Sequence, residues 1–305
     1  MSRTVTLLDG GLGQELIKRS SAPPHPLWAT QVMIDEPHLV SEIHRDFCDA
    51  GARVICLNTY AVSRHRLATY APEKSLQEVL DTALAAAAAG IASSQSAFEV
   101  STVASLPPLN ASYDHTVAPD FESAYAQYCE LISLQKTTVS AFLLETMSNI
   151  AEATAGAKAI RDEGVVGAIA FTLSDRDATK LRSGESLDAA IDAVLPHTPD
   201  AILINCSTPE IVTEGLKIVA KSGVKFGAYA NGFVSVDALV PGSTVDRLSE
   251  RKDLGPDEYL EFVKSWIELG AEIVGGCCEI GPAHIKAIST YLAREGVTIT
   301  RNIGP

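Results

Sequence analysis

The feature that most constrains this chain is an alternation running from one end to the other. Short, β-branched and nearly continuous apolar runs end in polar or glycine residues, and each is followed by a longer stretch with helical periodicity. Eight such units can be counted, with strands expected at 5–9, 53–60, 99–106, 141–147, 166–173, 201–207, 225–231 and 272–278. Continuous apolar runs, unlike the alternating pattern of a sandwich strand, belong to a parallel sheet with helices over one face and packed side chains over the other. The helices are signalled by their ends. Pro37 opens one that stops at Gly51, Pro209 opens another that stops at Gly223, and others are expected over 75–96, 121–137, 149–164, 187–195, 257–270 and 282–295. Eight strand–helix units without a linker predict the α/β class and a single (β/α)8 TIM barrel domain over residues 1–305. An open doubly wound sheet would typically have fewer strands, and no Gly-x-Gly-x-x-Gly follows the first strand. Two connections exceed the usual short loop, 20–30 and 232–255, and both follow strand exits. They read either as substrate-binding lids or as plain surface excursions.

Charge and cysteine usage narrow the partners. Lys and Arg number 24 against 38 Asp and Glu, a net charge of -14 that repels phosphate backbones and anionic lipid headgroups, so neither nucleic acid nor membrane is an expected partner. The start Met1-Ser2-Arg3 leads straight into a strand-like run without the features of a signal peptide, and the alanine-rich stretch 83–89 is too short to span a bilayer. Six cysteines without an export signal read as reduced thiols in the cytoplasm. A homo-oligomer remains open.

In a barrel of this type chemistry sits where strands leave the sheet at their C-terminal ends. Cys206 closes the sixth expected strand, and Cys277 and Cys278 close the eighth behind Gly275-Gly276. One strand lies between, so the two exits should be roughly 10 Å apart, a gap loop reach can close around an ion. Three thiolates with one open position describe a catalytic rather than a structural site, and sulfur ligands favour Zn2+ over magnesium or calcium. Cys48, Cys56 and Cys129 read instead as small buried hydrophobes. A redox pair at Cys277-Cys278 is disfavoured because adjacent cysteines do not readily reach disulfide geometry. A zinc held by three thiolates is a weak Lewis acid for water or carbonyls, but it keeps a fourth sulfur as the thiolate that attacks carbon. Displacement at a methyl group is the reaction implied.

Leu8-Asp9-Gly10-Gly11 with Glu15-Leu16, Glu145-Thr146, Phe171-Thr172, Ile204-Asn205-Cys206 and Gly275-Gly276-Cys277-Cys278 together resemble the homocysteine S-methyltransferase family, in matching order from Leu7 to about Ile288. The resemblance is to compact, stand-alone members that take a methyl group from S-methylmethionine, betaine or a related onium compound. It implies that Cys206, Cys277 and Cys278 hold zinc with homocysteine sulfur in the fourth position, that Glu145 binds the substrate ammonium, and that Asp9 with the Gly10-Gly11 backbone shapes the floor beneath. Thr172 falls within the shared motifs and is expected beside the substrate.

Each assignment has a plainer counterpart. Glu145 could serve a structural ion pair, and Asp9 before two glycines is also an ordinary turn or helix cap. Asn205 and Asn231 could orient ligands or satisfy loop backbone. Tyr60, Trp28 and Tyr229 could face a methyl-onium cation or be core and rim aromatics. Two departures from the family pattern bear on the substrates: Ser105-Leu106-Pro107-Pro108 has proline where many relatives have glycine, and Tyr229-Ala230-Asn231 lacks an intervening proline. The acceptor could therefore be another thiol or a selenol, or the barrel could bind zinc with catalysis lost. A Schiff-base aldolase is disfavoured, since no lysine stands at a strand exit.

Overall fold

The computed structural model describes residues 3–239, 244 and 247–304. Residues 240–243, 245 and 246 of the long 232–255 connection, and Met1-Ser2 of the N-terminal run, lie outside the described residues. The strands are β1 Thr4–Leu7, β2 Val54–Cys56, β3 Ser101–Leu106, β4 Ala141–Met147, β5 Gly167–Phe171, β6 Leu173–Ser174, β7 Asp177–Leu181, β8 Ala201–Asn205, β9 Phe226–Tyr229, β10 Ile273–Val274 and β11 Thr298–Thr300. The helices are α1 Leu12–Arg19, α2 Ala29–Asp35, α3 Pro37–Ala50, α4 Arg64–Tyr70, α5 Leu76–Ser93, α6 Phe121–Gln135, α7 Ile150–Asp162, α8 Leu187–Val194, α9 Pro209–Val219, α10 Pro256–Leu269 and α11 Pro282–Arg294.

Eight of the strands close on themselves. Parallel pairings run β2–β3–β4–β5–β8–β9–β10–β1. The seam between β1 and β2 is a parallel bridge at Leu8 and Val54, in which Arg53 N donates to Leu7 O at 2.9 Å and Asp9 N to Val54 O at 3.0 Å. The fold is the expected (β/α)8 barrel. Its core has two shells because strand side chains alternate. Ala141 and Leu143, Ala168 and Ala170, and Ala201 and Leu203 fill the barrel interior, whereas Phe142 and Leu144, Ile169 and Phe171, and Ile202 and Ile204 pack outward against the helices. Alanines inside keep the lumen narrow enough for side chains to fill it.

The helices start where caps put them. Side chains of Ser75, Asp120, Asn149 and Ser186 accept from backbone N–H groups three residues on, at the first turns of α5, α6, α7 and α8. Proline occupies the first turn of α3, α9, α10 and α11, and Gly51 and Gly270 end α3 and α10 at φ of 111° and 112°.

Four features depart from the expected pattern. Strand eight covers only Ile273–Val274 and strand two only Val54–Cys56, because the following residues turn out of the ladder to form the barrel mouth. The fifth expected strand divides after Phe171: Leu173–Ser174 belongs to an antiparallel hairpin with Asp177–Leu181 that stands off the barrel, and Thr172 is the hinge. The stretch after β1 is structured, with α1 at once and α2 from Ala29, so the 20–30 connection ends in a helix. The additional β11 pairs with β1 at its N-terminal end, Thr4 opposite Thr298.

Candidate active site

The strand exits converge on a cavity of about 180 Å³, room for small molecules, lined by residues of the β1, β2, β3, β4, β8, β9 and β10 exits. At its floor lie three sulfurs. Cys206 Sγ is 2.6 Å from Cys277 Sγ and 3.8 Å from Cys278 Sγ, and all three lie within 4.8 Å of one another. Among the described residues no other group of three histidine, cysteine or acidic side chains is gathered closely enough to hold an ion. The edge of a tetrahedron with metal–sulfur bonds of about 2.3 Å is about 3.8 Å, so the ligand set fits a thiophilic metal, with the 2.6 Å pair closer than a bound ion would keep it.

Backbone distortions deliver these sulfurs. Along β8, Ala201, Leu203 and Asn205 face inward, so Cys206 would point outward in a continuing strand. Its φ of 47°, left-handed, turns the side chain to the mouth instead. A non-glycine residue in this region costs about 1–3 kcal/mol, and the chain offsets it with fixed partners: Cys206 N donates to Tyr229 O and Cys206 O accepts from Thr172 Oγ1 at 3.1 Å. Cys277 N donates to Ala230 O, and Gly232 N to Cys278 O. Gly10 and Gly11 permit the close approach of the β1 and β10 exits. A Cβ on Gly11 would lie 2.4 Å from Cys277 O, and one on Gly10 2.1 Å from Ile280 O.

Beside the sulfurs stand two buried carboxylates. Glu145 continues the inward parity of Ala141 and Leu143, and the β4 ladder slips between Leu144 and Met147, where Thr146 has φ of 63°. The amide that the slip frees at Thr146 donates to Asn205 Oδ1 at 2.9 Å, while Asn205 Nδ2 donates to Thr146 Oγ1 at 2.9 Å. Glu145 accepts from the Ser105 hydroxyl, from Tyr229 OH at 3.0 Å and from Asn205 Nδ2 at 3.5 Å. No Lys or Arg among the described residues pairs with it, so a structural ion pair is not its role. Burial pushes its carboxyl up to about 7 against the lowering effect of those donors. Asp9 is likewise raised to about 7 by burial, with Cys56 N donating to its Oδ2 at 2.9 Å. Asp9 caps no helix; α1 begins after Gly11 without a side-chain cap. Hydrogen bonds from Cys277, Cys278 and Tyr113 hold the Cys206 thiol well below the usual range, and the bond to Cys206 pushes Cys277 up.

The remaining expected residues divide. Trp28 and Tyr60 line the cavity edge to face, ring centroids 6.0 Å apart, with Trp28 Nε1 donating to Gln14 Oε1. Tyr229 also lines it, but its ring is part of the barrel interior. Thr172, Asn205 and Asn231 do not line it. Thr172 braces the Cys206 carbonyl and receives Arg182 Nε at 3.1 Å; Asn231 Oδ1 accepts from Phe233 N at 3.1 Å. These three hold backbone in place, since strand-exit loops leave amides and carbonyls that the ladder no longer pairs. Of the cysteines read as packing residues, Cys48 is buried and Cys129 half-buried, while Cys56 reaches the cavity. Pro107 O is held by Tyr128 OH at 2.9 Å.

Sequence reasoning missed Tyr113 and Arg66. Tyr113, in the connection between β3 and α6 at φ of 66°, donates its hydroxyl to Cys206 Sγ at 3.1 Å, and the Arg182 guanidinium lies 5.1 Å over its ring. No local pattern marks a loop tyrosine for this.

Known proteins match this chain in sequence and fold. The family model described as homocysteine S-methyltransferase matches residues 6–292. A selenocysteine Se-methyltransferase of Brassica oleracea var. italica is 27% identical, covering 94% of this chain and 88% of its own length. Homocysteine S-methyltransferase 1 of Arabidopsis thaliana is 26% identical, covering 95% and 94%. The metallated form of the homocysteine methyltransferase MmuM from Escherichia coli superposes with a TM-score of 0.78 at 21% identity over 94% of this chain and 96% of that one, a likeness of fold. With the family model spanning nearly all of the barrel, the chain belongs to the homocysteine S-methyltransferase family of methyltransferases.

Proposed function

We propose that the chain, acting as one domain over residues 1–305 in the cytoplasm, is a zinc-dependent enzyme that transfers a methyl group from an onium donor, S-methylmethionine, betaine or similar, to the thiol of homocysteine, giving methionine. The observation that carries this reading is the convergence of three thiols from two separate strand exits beside a buried carboxylate without a cationic partner. Cys206, Cys277 and Cys278 would hold the zinc, whose chemistry is to keep an acceptor thiol ionised near neutral pH. Glu145, fixed by Ser105, Tyr229 and Asn205, binds the acceptor ammonium, and ionises as that cation arrives. Asp9 and the Gly10-Gly11 backbone form the floor. Trp28 and Tyr60 present ring faces and edges to the donor cation and exclude water from it. The acceptor sulfur forms the new S–CH3 bond as the donor's onium–CH3 bond breaks and its electron pair returns to the donor heteroatom, so one positive charge is consumed. The acidic floor of the cavity favours binding the cationic donor.

The test is metal content together with turnover. Purified reduced protein is expected to carry one zinc per chain, and Cys278→Ala to lose zinc and methyl transfer together; a metal-free enzyme that still turns over refutes the reading. A selenol acceptor is a second reading, favoured by the likeness to a selenocysteine Se-methyltransferase. Comparing kcat/KM for homocysteine and selenocysteine with one donor decides it, a preference for homocysteine ending this alternative.

A further inference from the structure

The cavity lining holds acidic groups and a cation together. Asp9, Glu145 and the three thiols occupy the floor, while Arg66 is the one basic residue among the described residues of the lining. Arg66 projects from the short helix α4 and is half-buried. Two of its donor contacts are made by Nη2, to Pro108 O at 3.1 Å and to Ser112 Oγ at 3.4 Å. Its Nε is hidden from solvent and has no partner. No carboxylate among the described residues lies within 4.0 Å of the guanidinium. The buried acid in its field, Glu152, is engaged by Leu109 N at 2.8 Å and Tyr128 OH at 3.3 Å. A half-buried guanidinium without a counterion is costly, and Nη1, which has no hydrogen-bond partner among the described residues, is left to meet an anion in the cavity.

Aromatic walls line the same cavity. Tyr60 OH donates to Ser112 Oγ at 2.9 Å, the same atom that Arg66 reaches, and Ser112 precedes Tyr113, whose hydroxyl is on Cys206. The lining therefore runs from sulfur, past Tyr113, to Ser112, where Tyr60 and Arg66 meet, and Trp28 stands against Tyr60. A ligand that follows it has a cationic centre against the rings and an anion at Arg66.

We propose that Arg66 is the carboxylate site of the methyl donor, so that the enzyme selects zwitterionic onium compounds over the same cations lacking a carboxylate. This inference rests on the methyl-transfer reading for the nature of the ligand. Arg66 is a specificity residue, acting at the end of the donor remote from the transferred methyl.

The test is calorimetric titration of the zinc-loaded full-length protein with two matched pairs: S-methylmethionine against (3-aminopropyl)dimethylsulfonium, and betaine against choline. The wild type is expected to bind the carboxylate-bearing member of at least one pair on the order of 30-fold more tightly. Arg66→Gln is expected to bring that ratio within about threefold, and Arg66→Lys to retain part of it. The ratio is taken within each variant, so damage to the loop that Arg66 also holds cancels. A wild type without preference in either pair, one that binds neither pair, or an Arg66→Gln protein that keeps the wild-type ratio overturns the proposal. So does a loss of preference that appears only between homocysteine and 3-mercaptopropylamine, which would assign Arg66 to the acceptor. Failure of the methyl-transfer reading shows separately, as the absence of methylated thiol with every donor, because the titration reads binding alone.

Discussion

Replacing Glu145 by glutamine separates what the carboxylate does for binding from what it costs the fold. Glu145 is buried, its donors are Ser105, Tyr229 and Asn205, and its carboxyl is raised from 4.5 to about 7. In the unfolded chain it loses its proton near 4.5 and in the folded chain near 7. Between those values the native state binds more protons than the unfolded one, so wild-type stability falls as pH rises through this window. The rise of about 2.5 pH units, at 1.36 kcal/mol each, amounts to about 3.4 kcal/mol by pH 8. Glutamine does not ionise, but its amide would face Asn205 Nδ2 with a second donor, an offset of about 1 kcal/mol that does not vary with pH. At about 2.1 cal/mol/K per residue the unfolding entropy of 305 residues is about 0.64 kcal/mol/K. The difference in Tm between Glu145→Gln and wild type in metal-free protein should therefore swing by about 5 °C in favour of the variant from pH 4.5 to pH 8. Differential scanning calorimetry across that range measures it, and kinetics on the zinc-loaded proteins should show the stabilised variant with a homocysteine KM raised at least about 10-fold. A Tm difference that is flat with pH refutes the argument that burial raises this carboxyl.

Two further outcomes follow from the geometry of the mouth. Gly11→Ala places a methyl 2.4 Å from Cys277 O; since that atom is backbone, the Cys277-Cys278 segment must move, and zinc affinity measured by chelator competition should fall at least about 10-fold, while unchanged affinity would show that the exits are not rigidly packed. Tyr113→Phe removes the hydroxyl on Cys206 Sγ; in metal-free protein the pH midpoint of Cys206 alkylation should rise, with a stability loss of about 1 kcal/mol, and an unshifted midpoint would remove Tyr113 from the site.

What could be read along the chain was whatever local pattern records. The apolar runs, proline starts and glycine stops of α3, α9 and α10 each report the burial and backbone needs of a few neighbouring residues, and eight repeats of that pattern admit few closures besides a barrel. The sulfur triad was legible for the same reason: Cys206, Cys277 and Cys278 stand where apolar runs end, and barrel topology puts those ends on one rim. Tertiary structure decided where side chains point once the ladder stops. Cys206 reaches the cavity only through a left-handed turn against its strand parity, and the slip in β4 frees the Thr146 amide that Asn205 then takes. Thr172 and Asn231, in motif positions, were spent on backbone, whereas Tyr113 and Arg66, in unremarkable loop and short-helix positions, line the cavity. Periodicity encodes which face of an element is buried; the partner of a side chain beyond the end of a strand is set by loops distant in sequence, and only the folded chain brings them within hydrogen-bond range.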